Sequence, residues 1–226
     1  MKRTRRESVV AVCAAAQEPG GPEHGLALWP AARALASFVA AHPAHFAGAH
    51  TAVVELGAGP GLPGITAAAV HGCRVLLTDV GGAVLAQCRA NVARNGVAHL
   101  CTVAPLDWRV PGSVAAAGAG AGADVVLASD CVYDDNKDVH EDLLAVVHEL
   151  LVRREAAGAP AGGRARAFLA YCERNSDRSI AHLLRLWGLS ARFVACVDVG
   201  GNEDDDDDDV QSIHIIEITL ARDETT

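Results

Sequence analysis

No stretch of this 226-residue chain approaches the roughly 20 consecutive apolar residues that a membrane-spanning helix needs, although half of the residues are hydrophobic. The apolar segments are short, rich in Ala and Val, and separated by Gly and charge. That is the texture of a soluble α/β protein with no membrane partner. A basic stripe is absent too. The net charge is −9, and taking out the six aspartates Asp204–Asp209 leaves −3, so charge gives no reason to expect a nucleic-acid partner. The basic cluster Lys2-Arg3-Thr4-Arg5-Arg6 could open a targeting peptide, but Glu7 follows at once and no apolar signal core appears. It reads as a solvated terminus. None of the seven cysteines (Cys13, Cys73, Cys88, Cys101, Cys131, Cys172 and Cys196) sits in a C-x-x-C pair. An odd, scattered set inside apolar segments reads as reduced thiols and predicts a cytoplasmic or nuclear setting. His42, His45 and His50 lie close together, yet in a Pro-, Gly- and Ala-rich stretch without helical ligand spacing, so no metal site is expected.

What is present is an alternation of buried-strand and helix patterns. Strands are predicted at Thr51–Leu56, Cys73–Thr78, Leu100–Pro105, Asp124–Ser129, Ala165–Tyr171, Arg192–Val199 and Ser212–Leu220. Helices are predicted at Leu62–His71, Val84–Asn95 (with Gly96 as its stop), Val139–Arg154 and Ile180–Trp187. Asp124–Ser129 shows no polar alternation, as expected of a strand covered on both faces. The succession implies a mostly parallel, doubly wound sheet, and the last two strands, with no helix between them, imply a final antiparallel hairpin. One folded unit from 24 to 226 is expected, carrying an acidic loop at 203–209, after a partly flexible N-terminal segment, 1–23. The Ala- and Gly-rich stretches Gly112–Gly122 and Ala156–Gly163 read as mobile loops with little to bury. The acidic run reads as a solvated, disordered insertion.

The densest chemical signal is the segment Glu55-Leu-Gly57-Ala-Gly59-Pro-Gly61, where an apolar strand runs into glycines ahead of a helix. Such glycines let the backbone turn sharply and let a ligand touch the main chain. A dinucleotide fingerprint, G-x-G-x-x-G, would need its third glycine where Leu62 stands. Asp79 ends the second strand, twenty residues after Gly59, where an acid can accept from both hydroxyls of a ribose. It could instead cap the helix that follows the Gly81-Gly82 turn. Asp107 and Trp108 end the third strand; a carboxylate can accept from an adenine amino group, and an indole can cover the ring. The fourth strand ends in Ser129-Asp130-Cys131-Val132-Tyr133, next to the first strand at the switch point of such a sheet. Asp130 and Tyr133 can therefore share a cleft with the glycine loop.

The acidic-x-Gly-x-Gly-x-Gly pattern resembles the first motif of class I S-adenosylmethionine-dependent methyltransferases. With Leu28-Trp29-Pro30-Ala31-Ala32, Leu77-Thr78-Asp79, Leu106-Asp107-Trp108 and the Asp-x-x-Tyr of Asp130–Tyr133, the chain is similar to the seven-β-strand protein-lysine methyltransferases, the group of the calmodulin, Hsp70 and valosin-containing-protein lysine methyltransferases. The resemblance runs over roughly residues 24–220 in order and spacing. It implies an α/β class I methyltransferase fold, Rossmann-like, with strand order 3-2-1-4-5-7-6 and an antiparallel last strand. It implies S-adenosylmethionine as cofactor, held by Trp29, Glu55, Gly57, Gly59, Gly61, Asp79, Asp107, Trp108 and Ser129. It assigns Asp130 and Tyr133 to the acceptor lysine. The implied partner is a protein substrate; the acidic run Asp204–Asp209 would attract a basic one, and a monomeric enzyme is expected. Other readings stay open: an acceptor histidine or small amine, or a non-catalytic scaffold of the same fold. An Asn-Pro-Pro-Tyr segment, usual where base or glutamine amide nitrogens are methylated, does not occur at the end of the fourth strand.

Overall fold

The computed structural model describes residues 10–12, 24–46, 50–132, 139–158, 163–172, 180–199 and 211–222. Seven strands form one sheet: β1 (Ala52–Leu56), β2 (Arg74–Asp79), β3 (Cys101–Pro105), β4 (Val125–Ser129), β5 (Arg166–Cys172), β6 (Leu189–Val199) and β7 (Gln211–Leu220). Their order is β3-β2-β1-β4-β5-β7-β6, as the resemblance implied. The pairings from β3 through β5 are parallel, and β7 runs antiparallel to both β5 and β6. The helices are α1 (Pro30–Ala41), α2 (Leu62–His71), α3 (Gly82–Arg94), α4 (Ser113–Ala116), α5 (His140–Ala156) and α6 (Ala181–Leu186). The predicted elements fall within a few residues of these, except that α1 and α4 were not delimited in advance and β6 starts three residues earlier.

Both faces of the sheet are covered, so strand residues alternate between two cores. Val53, Leu127, Phe168 and Ile215 pack with Leu35, Phe38 and Ile65 from α1 and α2. Val54, Val126, Leu169 and Ile216 pack with Leu143, Val147 and Leu150 from α5. Burying one such Leu or Ile side chain stabilises the fold by about 1.5–3 kcal/mol. Polar ties fix the register where apolar packing is indifferent to it. Asp124, ahead of β4, accepts from the Ala52 N–H at 2.7 Å and from Arg154 Nε at 2.5 Å, joining β1, β4 and α5. Glu217 of β7 is buried between Arg166 of β5 and Arg192 of β6. Ahead of the main unit, Ala11 exchanges hydrogen bonds with the Asn95 side chain, and Val10 and Val12 pack against the first core.

The stretch 112–122 corrects an expectation. It is not a loop with little to bury: Ser113–Ala116 is α4, and Val114, Ala117 and Ala119 are buried in the second core. Small side chains let this segment lie directly on α5. At Gly122 (φ +75°) an added Cβ would collide with the Leu150 carbonyl and the Arg154 backbone. In the second such stretch, residues 159–162 lie outside the described residues, as do Tyr133 and the whole acidic run 203–209.

Candidate active site

The carboxyl ends of β1, β2 and β4 open into a cavity of about 310 Å³. Its floor is the glycine loop. Gly57 and Gly59 have φ of +59° and +52°, a region that side chains strain to enter. A Cβ on Gly57 would stand 2.8 Å from Cys131 Sγ and 3.3 Å from the Trp108 ring; one on Gly59 would stand 3.2 Å from the Gly25 carbonyl oxygen. The loop is therefore packed from both sides and glycine is required at both positions.

Three side chains hold it. Asp79 Oδ2 accepts from the Gly59 N–H at 3.0 Å, and its Oδ1 accepts from the Val80 N–H at 2.7 Å. The alternative role, a cap for α3, is not realised: the cap position is Gly81 and no side chain caps it. Asn91, buried on α3, donates to the Pro60 carbonyl at 2.9 Å. Glu55 is fully buried, and its Oε2 accepts from the Gly64 N–H at 2.8 Å. Glu55 and Gly61 do not line the cavity. Glu55 shares the strand face of Val53, which turns toward α2 and away from the opening.

The remaining residues expected from sequence within the described region do line it: Trp29, Gly57, Gly59, Asp79, Asp107, Trp108, Ser129 and Asp130. Trp29 stands at the start of α1 in extended backbone, so the residue that opens the helix also forms a wall of the cavity. Asp107 is engaged by its neighbour. Its Oδ1 accepts from the Arg109 backbone N–H and Nε, and its Oδ2 from a terminal guanidinium nitrogen at 2.8 Å. These bonds hold its carboxyl below the usual carboxylate range. Among the described non-glycine residues only Asp130 has positive φ, +53°. Such backbone costs about 1–3 kcal/mol and persists where surrounding contacts enforce it. Here the Asp130 N–H is held by the Ala170 carbonyl of β5 at 2.9 Å.

Among the lining residues that the sequence reading did not single out, Cys131 and Gly25 shape the glycine loop. Cys131 donates weakly to the Leu56 and Ser129 carbonyls and fills the space beside Gly57. Burial pushes its thiol far up, which makes it a packing group and not a nucleophile. Gly25 belongs to a 3-10 turn, His24–Leu26, and its carbonyl lies over Gly59. No sequence signal marks either one; Asn91, by contrast, is detectable as a lone amide on the buried stripe of an amphipathic helix.

The charges lining the cavity are Asp79, Asp107, Asp130 and Arg109, the last already paired. Three carboxylates disfavour a pyrophosphate. They suit a ligand that carries hydroxyls, an amino group and positive charge, and Gly57 and Gly59 line the cavity with bare backbone. S-adenosylmethionine has those features: ribose hydroxyls, an adenine amino group, an ammonium and a sulfonium.

The comparisons with known proteins agree with this chemistry. A family profile described as "Lysine methyltransferase" matches residues 13–159. The histone-arginine methyltransferase METTL23 of Homo sapiens is 28% identical over 203 residues, covering 87% of this chain and 98% of its own. Its Xenopus laevis counterpart is 32% identical over 168 residues, and the match covers 74% of this chain and 65% of that one. The human protein-lysine N-methyltransferase EEF2KMT is 31% identical over 167 residues, covering 68% of this chain; the chain spans only 47% of that longer relative. Among solved structures, a precorrin-6y C5,15-methyltransferase from Geobacter metallireducens superposes with a TM-score of 0.55 at 16% identity, covering 81% of this chain and 87% of that one, which bears on the fold alone. Glycine cradle, acidic cavity and family profile converge: the chain belongs to the lysine methyltransferase family of S-adenosylmethionine-dependent enzymes.

Proposed function

We propose that this protein methylates a lysine side chain of another protein. The observation that carries the reading is that Asp130, at the carboxyl end of β4, lines the same cavity as Asp79 and the glycine loop. One cavity can thus take the cofactor on the β1–β2 side and an acceptor on the β4 side. Gly57, Gly59, Asp79, Trp29, Trp108, Asp107 and Ser129 would hold the cofactor, which supplies an electrophilic sulfonium methyl when bound. Asp107 would meet the adenine amino group while keeping its bonds to Arg109.

The protein's own task is placement, since alignment of nucleophile and methyl carries much of the acceleration. A free lysine titrates near ~10.4, so only about one in a thousand is neutral at physiological pH. Asp130 favours the ammonium form, so its role is to bind and orient the incoming side chain, not to act as a strong base. Tyr133 is assigned to the acceptor channel by family resemblance, through its ring face or its hydroxyl. The departing proton leaves through water. The proposed enzyme is a monomer acting on a basic protein in the cytoplasm or nucleus. Support for the compartment is that none of the six cysteines among the described residues forms a disulfide. No helix of the described residues is long and apolar enough to cross a membrane.

A second reading has one specific observation in its favour. The relative whose length is almost fully spanned is named for arginine, and a carboxylate such as Asp130 can equally receive a guanidinium. Incubation with tritiated S-adenosylmethionine and cell extract, followed by hydrolysis of the labelled protein, separates these readings. Label in methyl-lysine is the expected result. Label in methyl-arginine selects the second reading, and label confined to nucleic acid or small molecules would sink both.

A further inference from the structure

Glu55 is the acid of the glycine motif, yet it lies behind the loop and not in the cavity. Its backbone belongs to β1, and its side chain reaches across nine residues to the Gly64 N–H in the first turn of α2. Everything between those points is the cradle Gly57–Gly61. The Glu55 backbone carbonyl accepts from Thr78 Oγ1 at 2.7 Å, which ties the same residue to β2. Gly64 is glycine because a Cβ there would stand 2.5 Å from Glu55 Oε2 and 2.7 Å from Leu77.

The surroundings decide its charge. Glu55 is 0% exposed, and Oε2 has a single neutral donor, while Oε1 has no hydrogen-bond partner. Asp79 of β2 acts on its ionisation, and the thiols of Cys88 of α3, Cys101 of β3 and Cys131 after β4 lie within its electrostatic reach. None is a cation. The contrast is Glu217, also buried, which has Arg166 at 2.8 Å and Arg192 at 2.5 Å. A buried, unpaired carboxylate costs far more than a buried neutral acid with one unmet bond.

We propose that Glu55 is a positioning residue that works as a neutral carboxylic acid, stapling the two ends of the glycine loop together without touching the cofactor. The inference rests on the cofactor site and is independent of which acceptor is methylated. Desolvation pushes its carboxyl from the ordinary 4.5 up to about 8, with Asp79 adding to the rise and the Gly64 bond opposing it. The folded state therefore holds a proton that the unfolded state releases above 4.5. The stability linked to this group is full below 4.5, is lost as pH climbs toward about 8, and is level beyond.

The test compares wild type with Glu55→Gln, which keeps the acceptor for Gly64 and cannot ionise. Chemical denaturation is followed from about pH 5 to about pH 9, where one such proton changes the unfolding constant by up to about tenfold per pH unit. Wild type should lose stability relative to E55Q up to about pH 8 and then run parallel. S-adenosylhomocysteine affinity, weakened about tenfold in Glu55→Ala, should be rescued to within about threefold by E55Q. Should a variant fail to fold, infrared spectroscopy of wild type carrying isotope-labelled glutamate decides. One protonated-glutamate band is expected at neutral pH, vanishing as pH passes about 8. Parallel stability curves, failure of E55Q to rescue binding, or absence of that band would each overturn the proposal.

Discussion

At the scale of single residues, Asp79 and Asp130 divide the labour of one cavity. Asp79 already spends one lone pair of each oxygen on the Gly59 and Val80 N–H groups, which fixes its carboxylate and leaves lone pairs for ribose hydroxyls. Asp79→Ala should weaken S-adenosylhomocysteine binding by about 1.5–3 kcal/mol, since hydrogen bonds to a charged acceptor are lost. Calorimetry checks this, with NAD as the control; NAD binding more tightly than S-adenosylhomocysteine would end the methyltransferase reading. Asp130→Ala should cut turnover about a hundredfold through loss of acceptor alignment, with cofactor affinity little changed. Full turnover in that variant, measured on the labelled acceptor, would remove Asp130 from the acceptor side. Both aspartates were legible in the sequence because each closes an apolar strand run, one residue after a hydroxyl side chain (Thr78, Ser129). The orientation of Glu55 was not, because four apolar neighbours do not reveal which strand face turns toward α2. Nor was the Asp107–Arg109 pair, since two residues separated by one only meet where the backbone turns.

At the scale of elements, the strand and helix order could be read from hydrophobic runs and Gly stops, whereas α4 could not. Its sequence is so poor in large apolar groups that composition suggested a loop; burial there comes from close approach to α5, not from side-chain size. Two glycines test that account. Gly120 has open space around its would-be Cβ, so Gly120→Ala should leave stability unchanged or raise it by about 0.4–1 kcal/mol. Gly122→Ala would force both a left-handed alanine and a backbone collision, and should cost more than about 2 kcal/mol. For a chain of this size that difference separates the two melting temperatures by several degrees, at about 2–4 °C per kcal/mol. Equal melting temperatures would mean that 112–122 is the loose loop its composition suggested. Asp124 offers a second check on inter-element ties. Asp124→Ala strands Arg154 and the Ala52 N–H together, for an expected loss of about 3–5 kcal/mol, visible as a lower denaturation midpoint.

At the scale of the whole molecule, the sheet has a parallel part that builds the cavity and an antiparallel end that lies beyond β5. Val199 of β6 pairs with Gln211 of β7, and Ile213 of β7 pairs with Cys172 at the carboxyl end of β5. Val199 and Gln211, the described residues on either side of the segment that holds Asp204–Asp209, therefore lie on the edge where β4 presents Asp130. In sheet spacing β7 and β6 stand about 10–15 Å from β4. Two expectations for the acidic run differ in consequence. A tolerated solvated insertion has no effect on catalysis, whereas a charged rim raises the encounter rate with a basic protein at low salt. Replacing the six aspartates with a Gly-Ser loop of equal length separates them. Melting temperature should not change in either case, because the flanking strand pairs and Ile213, Ile215 and Ile216 carry the packing there. Under steering, kcat/KM on the labelled acceptor falls at low ionic strength and converges with wild type once the screening length drops to about 8 Å near physiological salt. Identical salt dependence in the two proteins would leave the run without a part in recognition, and a large drop in melting temperature would show that it is bound into the fold.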